Sequence, residues 1–394
     1  MSICSASNNQ PKKKMKNLII LALMACCINL YSQKINEKVF SPKLNEDREI
    51  TIGLPASYLK NPNKKYPLLI LLDGDYLFDP FQGALNYGAY WDDLPEVIVV
   101  GVNQNANNER QTDCTIGEAT GLPDEKGNSF FEFIGHELVG YMEEKYRVAP
   151  FKIIAGHDVT AGFLNFYLYK EQPLFDAYIS MSPELPKEME EHIPERLSTI
   201  AKPIYYYQST ADGDVKKMKA RIQELDVTIK KINKPNLNYQ FDNFKGASHY
   251  SLVLHSIPNA LYLLFSVYQP ISMTEYSEKI ETLPSGYVDY LKNKYDVLEK
   301  SLGIKMQIRL IDFKAIEAAI LKNKAYGEFE KLADLAKKNY PKTMLSDYHM
   351  GLMYEKNGEL KKAVKAYQNA YQKEEIGDLT KDMMLDKADE LKKQ

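Results

Sequence analysis

Cysteine is scarce in this 394-residue chain: there are four, and three of them, Cys4, Cys26 and Cys27, crowd the N-terminal stretch. A mature chain starting near Gln33 would keep only Cys114. One thiol makes no internal disulfide and assembles no cysteine zinc site, so the fold has to rest on its core. An excess of one charge sign is also missing. Lys+Arg 50 against Asp+Glu 53, a net charge of -3, leaves no field to gather a polyanion, which excludes nucleic acid as a partner. Apolar runs of the ~20 residues that a spanning helix needs are absent as well. The stretch from Leu18 to Ile28 is shorter, follows Lys12, Lys13, Lys14 and Lys16, and leads to small Ser32, so it reads as a secretory signal peptide. Leu23-Met24-Ala25-Cys26 is a loose lipobox, and membrane attachment is expected only if Cys26 is acylated. Either route takes the protein out of the cytoplasm, to the periplasm, the cell envelope or the medium.

What is present is globular: 44% hydrophobic and 26% charged residues, in a chain too long for one ordinary domain. Alternating residues around Arg48 to Leu54 predict antiparallel edge strands. Continuous apolar runs at Tyr66 to Leu72, Val97 to Val102, Lys152 to Ala155, Phe175 to Met181 and Pro203 to Tyr207 predict strands buried on two faces, with Tyr239 to Phe241 the last. Helical spacing lies between several of them, from Ser129 to Arg147 and from Val215 to Leu225, and again from His255 to Tyr268. The fold class is therefore α/β, a mostly parallel sheet covered on both faces. Near Gln269 the character changes to Lys, Glu, Ala and Leu at helical spacing. This divides the chain into a leader (1–33), an α/β domain (34–269) and a small all-helical domain (270–394).

The stretch Ile153-Ile154-Ala155-Gly156-His157-Asp158-Val159-Thr160 is a strand passing without a loop into a helix. That is the outline of the nucleophile elbow, which reads G-x-S-x-G in α/β-hydrolases. The serine is missing: Asp158 stands in its place, and Thr160 replaces the closing glycine. A serine attacks after histidine takes its proton, and backbone N–H groups stabilise the oxyanion. Asp158 is already ionised at neutral pH, would form a reactive mixed anhydride from an ester, and opposes an adjacent oxyanion. Thr160 is β-branched where the turn is tight, so restoring serine alone is expected to restore little. One role for Asp158 is simply capping the helix that follows.

From about Val39 to Tyr268 the chain resembles the putative-esterase family of α/β-hydrolases, which includes enterochelin esterases and esterase D. The likeness is carried by Leu71-Leu72-Asp73-Gly74-Asp75, Asn107 to Arg110 with Asp113 and Thr115, Lys145-Tyr146-Arg147, Gly156-His157, Phe175 to Pro183, and Ser248-His249. The resemblance implies a triad in the order nucleophile, acid, histidine, with His249 as the histidine. Asp212 and Asp214 both qualify as the acid, and Asp212 is chosen because Ala211-Asp212-Gly213 reads as a turn past a strand. Asp75, Arg110 and Val159 are the expected ligand-binding residues. No cofactor and no metal is called for. The replaced serine points to an impaired or atypical hydrolase, a pseudoenzyme that binds an ester-like small molecule or a protein partner. Alternatively, Gly156-His157-Asp158 is similar to the elbow of epoxide hydrolases, in which a carboxylate attacks an sp³ carbon. Thr160 as a shifted nucleophile is a further alternative, and Cys114 reads as a small buried filler.

In the helical domain Gly351, Tyr354, Ala363, Tyr367 and Ala370 fall on the offsets of a tetratricopeptide repeat, with Pro341 ending the unit before. One good repeat and one poor one cannot bury their own faces. The segment from Pro270 to Leu310 is expected to pack on the α/β domain and to leave a groove lined by Tyr348, Tyr354 and Tyr367 for a protein partner.

Overall fold

The computed structural model describes residues 33–105 and 108–393, so the leader and lipobox lie outside the described residues. Among the described residues there are eight strands: β1 (Gln33–Ser41), β2 (Glu46–Leu54), β3 (Tyr66–Leu71), β4 (Ile98–Val102), β5 (Val148–His157), β6 (Ala177–Met181), β7 (Ile204–Gly213) and β8 (Leu237–Ser248). They form one sheet in the order β1-β2-β4-β3-β5-β6-β7-β8. β2 runs antiparallel to both β1 and β4. From β4 to β8 every pairing is parallel.

Strand periodicity explains why these runs are apolar throughout. Leu68, Ile70, Val100, Ile154, Tyr178 and Tyr206 face one side, and their neighbours Leu69, Leu71, Val99, Ile153, Ile179 and Tyr207 face the other. Helices cover both sides. α1 (Gly74–Tyr90) follows β3, and α2 (Glu109–Asp113) follows β4. α3 (Glu125–Glu132) and α4 (Val139–Lys145) are joined through the π-turn Phe133–Leu138, and α5 (Val159–Phe163) follows β5. α6 (Met189–Thr199), α7 (Lys216–Ile229) and α8 (Leu252–Leu264) complete the domain.

Beyond it stand α9 (Tyr287–Leu302), α10 (Leu310–Lys322), α11 (Glu328–Asn339), α12 (Leu345–Lys356), α13 (Leu360–Tyr371) and α14 (Lys381–Lys392). Leu298, Leu302 and Ile304 at the end of α9 enter the second core of the sheet. Gly303 sits at φ 65, where an added Cβ would lie 2.5 Å from Pro150, so the turn out of α9 closes directly on the α/β domain. Arg309 donates to the Tyr268 carbonyl (2.7 Å) and pairs with Asp92. The helical segment thus covers part of its apolar surface with the sheet domain.

The expected groove of tyrosines is not formed. Tyr367 is fully buried and Tyr348 is buried, both in the helical core, and their hydroxyls donate to Glu355 (2.5 Å) and Glu317 (3.0 Å). The cause is close helix packing. A Cβ on Gly351 would lie 2.4 Å from the Tyr367 ring, so the glycine lets α13 press this ring against α12. Helical spacing alone could not tell which of these rings pointed inward.

Candidate functional site

A parallel sheet sends the carboxyl ends of its strands to one edge, and the loops leaving that edge carry the polar cluster. Asp73 follows β3, Asp158 follows β5, Ser182 follows β6, Asp214 follows β7 and His249 follows β8. Asp158 has φ 62 and ψ -123 at the β5–α5 turn. That conformation is strained for any residue with a Cβ and turns the side chain out above the sheet. Close approach makes the glycine on each side of the turn necessary. A Cβ on Gly156 would lie 2.9 Å from the Thr160 carbonyl carbon, and one on Gly162 only 1.9 Å from the Glu184 carbonyl oxygen.

Thr160 does not distort this turn. It lies within helical α5, where a β-branch is tolerated, and its hydroxyl accepts the His157 amide (3.0 Å) and donates to Asp73 Oδ2 (2.6 Å). The glycine needed for packing stands two residues later, at Gly162. Buried Thr160 has no geometry for a nucleophile. Asp158 is not a cap either: its side chain makes no capping hydrogen bond to α5.

The Asp158 carboxylate instead faces a guanidinium and an imidazole. Arg110 Nη1 donates to Oδ2 at 3.2 Å, and His249 Nε2 stands 3.8 Å from Oδ1. Behind His249, Nδ1 donates to Asp214 Oδ1 at 2.8 Å. Asp214 also accepts from Ser182 Oγ (2.7 Å), Thr210 Oγ1 (2.6 Å) and the Val215 amide (2.8 Å). Burial alone would raise the Asp214 carboxyl, but these hydrogen bonds, that of His249 foremost, hold it at about 2. The hydrogen bond to Asp214 raises the His249 pKa above its ordinary value; burial opposes this and the Asp158 charge adds to it.

Arg110 is locked on its other side. Nε and Nη2 reach Asp73 at 2.5 and 3.3 Å, and Nη2 also donates to the His157 carbonyl at 2.9 Å. Fully buried Asp73, at φ 58, orients this guanidinium. His157 lies between the two halves of the cluster. Its Nε2 donates to the His249 carbonyl (3.0 Å), its Nδ1 meets Tyr76 OH (3.1 Å), and its ring lies 4.6 Å from that of His249. Burial, together with the nearby His249 charge, lowers its pKa.

The preference for Asp212 over Asp214 is reversed. Asp212 is solvent-exposed, pairs with Lys219 (3.4 Å) and accepts the Gly246 amide (3.3 Å), whereas Asp214 lies against His249. β7 runs on to Gly213 with a register shift between Ala211 and Gly213, so the strand ends later than its apolar run and turns Asp214 inward. Asp75 does not reach the elbow through a hydrogen bond; it binds the Gln104 amide at 2.7 Å. Val159 opens α5 beside Asp158, and Cys114 is a buried free thiol. Asp73, Tyr76, His157 and Ser182 were not singled out as site residues, although each stands in a stretch that carries the family resemblance or immediately beside one. Among the described residues no group of His, Cys, Asp and Glu is arranged to hold a metal ion.

A sequence profile described as Putative esterase matches residues 41–231. A crystal structure of an uncharacterised protein from Capnocytophaga ochracea DSM 7271 is 31% identical to the chain, with TM-score 0.81 over 92% of this chain and 100% of that one. The chain belongs to the putative-esterase family of α/β-hydrolases. Within the same fold, an IroE-like serine hydrolase from Shewanella oneidensis is 19% identical, with TM-score 0.59 over 78% of this chain and 99% of that one. The BES protein from Bacillus cereus is 20% identical, with TM-score 0.50 over 59% and 96%. No protein of curated function matches the chain in sequence. At the elbow position this putative-esterase chain has a strained turn that carries a carboxylate, with the hydrogen-bonded pair of His249 and Asp214 beside it.

Proposed function

We propose that this chain is an exported ligand-binding member of the putative-esterase family that has given up acyl transfer to a serine. One observation carries the reading: the side chain on the elbow is a carboxylate, bonded to Arg110 at 3.2 Å and 3.8 Å from His249. A group already ionised has no proton for His249 to take, and its charge opposes the oxyanion that ester attack would create beside it. What remains is a preorganised set of hydrogen-bond donors and acceptors at a sheet edge where α/β proteins bind small molecules. Export rests on the basic and apolar leader of the sequence.

The test is turnover of p-nitrophenyl acetate and butyrate. The wild type is expected to match His249→Ala. Because Thr160 does not disturb the turn, Asp158→Ser alone is expected to raise turnover by about a hundredfold through general-base catalysis from His249. Robust wild-type turnover that survives Asp158→Ala and is lost in His249→Ala would overturn the reading.

A second reading is favoured by the line Asp158, His249, Asp214. Asp158 Oδ1 would attack an sp³ carbon, displacing halide, or opening an epoxide whose oxygen takes a proton from solvent water; neutral His249 would then deprotonate a water that hydrolyses the ester, releasing the alcohol and restoring the carboxylate. Release of halide or diol that disappears in Asp158→Ala would establish that route instead.

A further inference from the structure

Next to the elbow lies a cavity of about 310 Å³, between the chain after α2 and the loop after β6. Apolar Ile116, Val159, Phe163 and Leu185 line it together with Cys114 and the polar side chains Gln111 and Glu184. This volume is at the small end for ligand sites, which are mostly apolar with a few placed polar groups. Three observations join the cavity to Asp158. Val159 is the next residue in the chain and forms part of the wall. The Glu184 amide donates to the Asp158 carbonyl at 3.0 Å, so the loop on the far side is tied to the elbow itself. Finally, burial pushes the Cys114 thiol well above its ordinary value, and the charges of Asp73, Asp113 and Asp158 add to that shift, so the cavity wall lies within reach of the site's charges.

We propose that this cavity is the specificity pocket of the site, and that it takes the short aliphatic chain of a neutral ligand whose head group donates a hydrogen bond to Asp158. The inference rests on the ligand-binding reading above and names the ligand class. An anionic head is disfavoured because the exposed carboxylate of Glu184 lines the pocket, and the Asp158 carboxylate that the head would have to reach carries the same sign. A strongly cationic head is disfavoured by Arg110 and His249, which already flank Asp158. A primary amide has the required N–H donors and no charge.

The experiment is calorimetric titration of the full chain with the straight-chain primary amides from propanamide to octanamide, with the matching carboxylates for comparison. Affinity is expected to rise about three- to fourfold per methylene until the cavity is full, and then to level off. Carboxylates are expected to bind at least about tenfold more weakly than amides of the same length. Val159→Phe and Ile116→Phe place bulk in the pocket from two elements. Both side chains are partly exposed, so the fold tolerates them, and each is expected to move the levelling-off to a shorter amide. Affinity that does not depend on chain length, or a levelling-off unmoved in both variants, would overturn the pocket. Carboxylates binding as well as amides would overturn the head-group assignment. Ester turnover by the wild type would instead defeat the functional reading, and the chain-length dependence would stand or fall separately.

Discussion

Two histidine–carboxylate pairs stand at opposite ends of this molecule's design. His249, at the sheet edge, has Asp214 behind it at 2.8 Å and Asp158 before it at 3.8 Å, on a turn whose backbone is strained. His349, in the helical domain, is fully buried between Phe313 and Phe329, whose ring centroids lie 6.2 and 6.1 Å away. Its Nε2 meets Glu317 Oε2 at 3.2 Å, and Nδ1 has no partner among the described residues. The chemical pair is the same, yet one presents a reactive edge to solvent and the other is sealed by hydrocarbon. Exposure and backbone strain together, more than residue type, separate a site from a buried polar contact.

The comparison predicts unequal stability costs. His349→Ala leaves a cavity and takes from Glu317 Oε2 its imidazole partner, although Tyr348 still donates to Oε1, and is expected to cost about 3 kcal/mol in urea denaturation. His249→Ala is expected to cost about 1 kcal/mol or less. Equal costs would erase the distinction. Next in size is Asp214→Asn. This change removes the charged acceptor of three side-chain hydrogen bonds and is expected to cost about 2 kcal/mol. It should also return the His249 pKa towards its ordinary value, read by NMR titration of the ring. A His249 titration unchanged in Asp214→Asn would mean that Asp158 sets it.

Much of the sheet domain was legible because strands buried on both faces leave apolar runs such as Leu68 to Leu71 with no alternation to misread. The elbow was legible because Gly156-His157 joins such a run directly to a helix. The acid was not. Asp212 and Asp214 are two residues apart, the period of a strand, and only the late end of β7 and its register shift decide which one turns inward. The role of Thr160 was hidden for a related reason: its β-branch is a penalty in a tight turn and none one step into a helix. Tyr348 and Tyr367 were misplaced because helical spacing groups residues on a face without saying whether that face meets solvent or a neighbour.

A smaller effect sharpens the strain half of the comparison. At φ 62 and ψ -123 a residue with a Cβ is held at a cost of order 1–3 kcal/mol. Asp158→Gly relieves that cost and gives up the contacts with Arg110 and His249, for an expected net gain of about 1 kcal/mol. Asp158→Ala keeps the strain, loses the same contacts, and should show no gain. If glycine stabilises no more than alanine, the turn is not strained in solution and the elbow is not held for its side chain.

The smallest effect concerns pH. Because the folded-state pKa of His249 is raised, the stability it contributes is fully present below its unfolded value, near 6.5, and is lost as pH rises through the folded value. Asp214 works in the opposite sense. Its carboxyl is held at about 2, so its contribution is present above the unfolded value of 3.8 and is lost as pH falls towards 2. Both contributions therefore coexist between those unfolded values, and this is where the pair should stabilise the chain most. Thermal melts of the wild type and His249→Gln from pH 4.5 to 9 should show the widest gap near pH 5 to 6, on the order of 1 kcal/mol or less, closing as the pH rises. A gap that widens with pH would mean that folding favours the neutral imidazole, and Asp158 would then face an acceptor instead of a donor.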